Sequence, residues 1–378
     1  MDALEQIKKW RQELHQIPEL GLHEYKTSKY LKTELLKMGY QPISILKTGI
    51  LVYIDNGYDK TIAFRSDIDA LKIKEETNCN FVSQHDGYMH ACGHDGHMAA
   101  LLGLAKRLKE EPLSLETNIL LIFQPAEESP GGAKLIVEAG ILSKYHVKAI
   151  FGLHLMPTID EGKIACRPGP LMAQNGELDV TIIGKSAHAG LYHLGVDSIV
   201  IASLIISQYQ NIVSRVISPV ENCVINIGEI NGGTARNIVA DKTVFRGTVR
   251  TYSEKVFKKI TETMQAINQG MEKSYGCKVE FSCPPMYPPV LNDYDLYQQF
   301  INIIDENYLE LKEPLMLAED FAFYQKEVPG ILFYVGTKTP QYTSGLHTET
   351  FNFNEDVLVQ AVDVYYQLAA KIKLGELK

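Results

Sequence analysis

The stretch Asn118-Ile119-Leu120-Leu121-Ile122-Phe123-Gln124-Pro125-Ala126-Glu127-Glu128 decides the fold class. Its apolar part has strand length and is rich in β-branched and aromatic residues, and Pro125 then stops the ladder and leaves two adjacent carboxylates at the strand end. Working outward, Ile50 to Ile54, Thr61 to Arg65 and Ala149 to His154 have the same character, each bounded by turn residues. Helical segments fall between them, at about 96 to 110 and 131 to 140. Upstream, apolar positions 3, 4, 7, 10 and 14 follow a helical period that Ile17-Pro18 ends, and Thr27 to Met38 repeats it. Strands alternating with helices predict an α/β domain with a mixed, largely parallel sheet, whose chemistry gathers at strand C-terminal ends.

Beyond about residue 173 the pattern changes. Glu177 to Ile183 alternates at period two, 195 to 215 reads as an amphipathic helix, and Cys223 to Ile230 and Lys242 to Tyr252 read as strands. A helix over 254 to 275 and a strand over Cys277 to Cys283 follow. This β-α-β-β-α-β order is that of a ferredoxin-like α+β unit, inserted into the first domain. Pro284-Pro285 and Pro288-Pro289 mark the exit, so the expected division is 1–173 with 288–378, and an inserted domain at 174–287.

A chain of 378 residues, 45% hydrophobic and 22% charged, suits such a two-part globular protein. The formal charge of −9 disfavours phosphate backbones and anionic lipid, so no nucleic acid and no membrane partner is expected, and a small molecule is. The N-terminus is charged from Asp2 onward and lacks the apolar core of a signal peptide. Apolar runs such as Ile199 to Ile206 fall short of the ~20 residues a membrane-crossing helix needs. The expected compartment is the cytoplasm, where the six cysteines, none at C-x-x-C spacing, remain thiols.

The polar clusters sit at predicted strand ends and helix starts. His90-Ala91-Cys92-Gly93-His94-Asp95-Gly96-His97, just before a helix, places three histidines and a cysteine, all ligands for first-row metals, in one loop. A polar loop with Asp95 as a helix cap is the plainer alternative. Glu127 and Glu128 point in divergent directions at their strand end, so one would ligate a metal while its neighbour accepts a proton from the attacking water. Alone, an exposed acidic turn explains them as well. His154 ends the run Ala149 to Leu153, where a packed core histidine is the alternative. Arg65-Ser66-Asp67-Ile68-Asp69 ends another strand, and orienting a metal-bound histidine is a natural role for Asp67. All four clusters fall where an α/β fold assembles a site, which independent surface accidents would not do.

Several of these stretches resemble a known family. Leu14-His15-Gln16-Ile17-Pro18-Glu19-Leu20, Arg65-Ser66-Asp67-Ile68-Asp69-Ala70-Leu71, Met89 to Asp95, Phe123 to Glu128 and Gly247-Thr248-Val249-Arg250-Thr251 are similar to the aminoacylase and carboxypeptidase clan of binuclear metallopeptidases. The likeness runs end to end and is narrowest to the amidohydrolase branch: hippurate hydrolase-like aminoacylases, N-acetyldiaminopimelate deacetylases and auxin-conjugate hydrolases.

The resemblance implies a metal-dependent amidohydrolase that frees an amino acid from its N-acyl, commonly N-acetyl, derivative. It implies two divalent metal ions, manganese or zinc most often, with cobalt or nickel also suited to the donors. Cys92, His94, Glu128, His154 and His347 would be the ligands, and Glu127 the general base. His188, in Gly184-Lys185-Ser186-Ala187-His188, would polarise the scissile carbonyl, and Asn237 and Arg250 would hold the substrate carboxylate. The inserted domain would act as a lid and mediate a homodimer. The sequence departs from many relatives at Leu346-His347-Thr348, where they carry His-His-Pro, and at Ala318-Glu319-Asp320-Phe321, where they begin with Gly. Substrate options are N-acetyl-L,L-diaminopimelate of lysine synthesis, a simpler N-acyl amino acid or a dipeptide. A catalytically silent amino-acid-binding relative is the alternative of a different class.

Overall fold

The structure is a computed structural model that describes residues 2–113, 115–304 and 308–376. In chain order the strands that matter are β1 (Gly49–Ile54), β2 (Thr61–Asp67), β3 (Asn118–Gln124), β4 (Val147–Asp160), β5 (Gln174–Ile183), β6 (Cys223–Gly232), β7 (Lys242–Thr251), β8 (Lys278–Ser282) and β9 (Gly330–Lys338). The helices used below are α1 (Ala3–His15), α2 (His94–Glu110), α3 (Ser198–Asn211), α4 (Glu254–Tyr275) and α5 (Val357–Lys371). The chain divides into two compact units, Met1–Leu171 with Leu291–Pro314 and Asp320–Lys378, and Met172–Val290 with Leu315–Glu319.

In the first unit, eight strands among the described residues form one mixed sheet in the order Ile43–Ile45, β1, β3, β2, β4, β9, Ile164–Cys166, Tyr308–Glu310. Its centre is parallel: β2 pairs with β3 and β4, and β4 with β9, all in the same direction. β2 and β3 are buried along their whole length, which is why they read as unbroken apolar runs rather than alternating ones. α1, α2 and α5 cover the sheet, and Trp10, Leu14, Leu101, Leu104, Leu358 and Tyr365 belong to a single core with Phe64, Phe123 and Phe151. Register brings the chemistry together. Arg65 lies opposite Ile122 and Asp67 opposite Gln124, so the polar ends of β2 and β3 emerge side by side. β4 carries His154 past Gly152, the partner of Arg65.

The second unit has a four-stranded antiparallel sheet, β8-β5-β7-β6. Inward residues Leu178, Val180, Ile182, Phe245 and Val249 share a core with Ile201 and Ile205 of α3 and Ile260 and Met264 of α4. Residues 315–319 group with this unit through backbone contacts: Ala173 N–H donates to Leu317 O at 2.7 Å, and Met172 bridges Leu315.

One sequence expectation changes here. α3 continues through a π-turn at Ile212–Val216, and the resulting helix, Ser198–Val216, is long and apolar enough by length and composition to cross a membrane. Its buried positions, Ser198, Ile201, Ala202, Ile205, Tyr209 and Ile212, nevertheless recur at three- and four-residue spacing and form the stripe that packs on the sheet. That is the pattern of a helix seated on its own domain.

Candidate active site

The site is built where β2, β3, β4 and the start of α2 meet. Three backbone features shape it. Ala126 takes φ 57, a left-handed turn that L-residues seldom adopt, and Gly132 packs so tightly that a Cβ there would lie 1.7 Å from Pro125 O. Gly93, at φ 86, reverses the chain between Cys92 and His94. These turns swing Glu127 and Glu128 and the Cys92 loop to the same end of the sheet.

Asp69 then fixes the glutamate pair. Its two carboxylate oxygens accept the backbone N–H groups of Glu127 and Glu128, each at 3.0 Å. Sequence reasoning gave Asp69 no role, because the partners lie 58 and 59 residues away. Beneath them, fully buried Arg65 donates to Gln124 at 2.8 Å, to Asp67 at 2.7 Å and to Asp320 at 2.8 Å, while Asp320 accepts from Gln124 and from Ala133 N–H. The departure at Ala318 therefore leaves the neighbouring Asp320 firmly tied into the site's floor.

The three expected histidine ligands converge on Cys92 and Glu128. His347 Nε2 lies 3.3 Å from Cys92 Sγ and 3.3 Å from Glu128 Oε1, and His154 Nε2 lies 3.5 Å from the same sulfur. His94 Nε2 is 4.0 Å from Glu128 Oε1. His347 reaches in from a left-handed turn of its own, φ 60, with its N–H on Ala91 O. The ring tautomers are pinned from behind: His94 Nδ1–H donates to Asp69 O at 2.9 Å and His154 Nδ1–H to Leu155 O at 2.7 Å. Each leaves Nε2 as the ring atom aimed inward, the one a metal-binding imidazole offers once it is deprotonated. Among the described residues, His94 Nε2 and Glu128 Oε1 are buried without a hydrogen-bond partner of good geometry, which fits a cation between them. Glu127, buried beside this cluster, has an oxygen grouped with His94 and Glu128.

The electrostatics agree. Burial pushes the Cys92 thiol up, and Cys92 and Glu128 together push His347 up to about 10. Burial opposes charge on His94, but Asp67 and the neighbouring acceptors outweigh it and hold that ring well above its usual value. Burial, reinforced by His97, pushes His154 well below its own, so it stays neutral. Protons on His94 and His347 thus balance an excess of acidic groups, and a divalent cation would displace them.

Asp67 sits differently from the expectation. It accepts from His97 Nδ1–H at 2.8 Å and from Arg65, and stands 3.7 Å from His94 Nε2, so its hydrogen bonds orient a histidine outside the expected ligand set. His97 Nε2 in turn accepts Leu155 N–H at 3.0 Å. His90 is buried and holds no hydrogen bond among the described residues, and Asp95 binds Arg11 and His15 rather than capping α2. Of the expected lid residues, exposed His188 accepts Gly190 N–H on Nδ1 at 3.1 Å, which makes Nε2 the ring nitrogen available as a donor. Asn237 is next to it, its carbonyl accepting Ala189 N–H at 3.0 Å. Arg250, half-buried on β7, donates to Met316 O at 2.6 Å.

Thiol, imidazole and carboxylate donors with a second carboxylate beside them, at the strand ends of a mixed α/β sheet, define a metal-dependent amide hydrolase. The chain matches Peptidase family M20/M25/M40 over residues 63–371 and belongs to that family. It is 40% identical over 360 residues to an N-acetyldiaminopimelate deacetylase of Listeria monocytogenes serotype 4a (strain HCC23), covering 94% of this chain and 96% of that one. It is 38% identical to the N-acetyldiaminopimelate deacetylase of Bacillus subtilis (strain 168), covering 96% and 97%. A solved dinuclear metal-binding peptidase of the M20 family from Bacillus subtilis superposes with a TM-score of 0.86 at 33% identity, covering 99% of both chains.

Proposed function

We propose that this protein is an N-acetyldiaminopimelate deacetylase acting in lysine synthesis, a metal-dependent hydrolase that cleaves the acetyl amide to acetate and the free diamino acid. The observation that carries the reading is the pair Glu127–Glu128 clamped by Asp69 beside His94, Cys92, His154 and His347. Relatives at 40% and 38% identity over nearly the full chain support the substrate.

Cys92, His94, Glu128, His154 and His347 would hold two divalent cations, which when bound supply Lewis acidity and lower the pKa of the attacking water. Manganese or zinc suits this donor set, and cobalt or nickel is accommodated by the same atoms. Glu127 takes the proton from the water as it attacks the amide carbon and passes it to the leaving nitrogen. His188 Nε2–H stabilises the developing oxyanion, and Arg250 and Asn237 hold the substrate carboxylate and place the scissile bond. Asp67, through His97 and Arg65, keeps the floor of the site rigid.

Residues 1–173 with 288–378 form the catalytic domain in this reading, and 174–287 a ferredoxin-like lid domain. The lid also serves a homodimer: Leu191, Tyr192, Leu194, Ile199, Val200, Ile230 and Ile238 are exposed apolar residues of that segment, an expense a monomer seldom carries. The free thiols suit the cytoplasm. The test is amine release from N-acetyldiaminopimelate, N-acetyl amino acids, hippurate and dipeptides with manganese or zinc present. Preference for the first supports the reading, and preference for another names a different amidohydrolase.

A further inference from the structure

A second group of metal-binding side chains lies away from the catalytic cluster, on α1 and the loop that follows Leu71. His15, Glu75 and Cys79 each bring one ligand atom within 4.8 Å of the others. We propose that they form a separate site for one thiophilic divalent cation of the zinc class, which ties this loop to α1.

The spacing fits. His15 Nε2 stands 3.2 Å and Cys79 Sγ 3.8 Å from Glu75 Oε1. Tetrahedral zinc, with ligands at about 2.0–2.3 Å, sets its donors about 3.3–3.6 Å apart.

His15 is already oriented for such a role. Its Nδ1–H donates to Asp95 Oδ2 at 2.8 Å, and Asp95 is held by Arg11 Nε–H at 2.8 Å. A buried carboxylate behind a histidine fixes the tautomer that offers Nε2 to a metal.

The surroundings of Glu75 are also too rich in donors for the bare ion pair. Oε2 accepts Ser83 N–H at 2.6 Å, while Oε1 is approached at once by His15, the Thr77 hydroxyl and the Cys79 thiol. Thr77 Oγ1 also stands 3.4 Å from Cys79 Sγ, so its one proton serves either the carboxylate or the sulfur, and the space around Oε1 is crowded either way. A cation in place of the His15 and Cys79 protons removes the conflict, and Thr77 keeps its bond. An ion pair uses His15 and Glu75 only; the metal site engages the Cys79 sulfur as a third donor. Glu75 and Cys79 are only partly buried, which leaves the fourth position to water.

Two measurements on the full-length protein test this. After dialysis against zinc, metal analysis should find one more ion per chain in wild type than in Cys79→Ser. With cobalt, the thiolate charge-transfer absorbance should drop by about half in the variant, the remainder coming from Cys92. Peptide-resolved alkylation of the unmodified chain, which requires no variant to fold, should show Cys79 modified rapidly after chelation and protected about tenfold or more by zinc. Equal zinc content in the two proteins, or Cys79 labelling unchanged by zinc, would overturn the site.

Discussion

Asp69→Asn isolates the contact on which the site's geometry depends. The carboxylate is fully buried and receives two N–H groups, those of Glu127 and Glu128, at 3.0 Å each. An asparagine keeps one acceptor oxygen and turns an NH₂ toward the other N–H. One charge-assisted bond is lost and one buried donor is left unpaired, a cost of about 2–4 kcal/mol. The same change releases the left-handed turn at Ala126, and a displacement of about 1 Å at Glu127 lowers turnover about 100-fold. Urea unfolding of both proteins in chelator measures the first effect, and kcat at saturating substrate and metal the second. A stability change under about 0.5 kcal/mol together with kcat within about twofold of wild type would refute the clamp.

Glu127→Gln should lower kcat about 10²–10⁴-fold while metal content is unchanged, as metal analysis of the same sample would show. Arg250→Ala should raise KM for substrates with a free α-carboxylate and leave an amidated analogue unaffected; equal effects on both would remove that role. In metal-free protein the His15–Glu75 pair gives a pH signature. Burial favours the neutral Glu75 carboxyl, but the hydrogen bonds from His15 and Thr77 outweigh it and hold its pKa near 2, against an ordinary 4.5. Its stabilisation is therefore present above about 4.5 and lost as pH falls toward 2. Burial likewise disfavours charge on His15, and Asp95 and Glu75 overcome it and raise that pKa above 6.5, so its share is present below 6.5 and lost as pH rises through the raised value. The stability difference between wild type and Glu75→Gln should be largest between pH 4.5 and 6.5 and shrink on either side. A difference that fails to shrink below pH 4.5 and above pH 6.5 in denaturation experiments would contradict the pairing.

The sheet centre was legible because strands buried on both faces, such as Asn118–Gln124 and Thr61–Asp67, leave unbroken apolar runs. The convergence of Cys92, His94, Glu128 and His154 was also legible, since each follows a strand or opens a helix. What escaped depends on contacts between distant residues. Asp69 reads as a partner of Asp67 in an acidic stretch, and only the register of β2 against β3 shows that it caps the turn after Pro125. The pairing of Asp67 with His97 rather than His94 follows from one turn of α2 and a backbone carbonyl that already occupies His94 Nδ1. The helix read over 195 to 215 is present as Ser198–Val216; what the single apolar runs did not show is that its whole length is apolar enough to pass for a membrane span.

The central claim is a two-cation centre served by Glu127, and titrating the chelator-treated chain with manganese while following amine release from N-acetyldiaminopimelate tests it most directly. Activity should rise until two manganese ions are bound per chain, and Glu127→Gln should bind the same two without turnover. Full activity in metal-free protein, or undiminished turnover in Glu127→Gln, would contradict it.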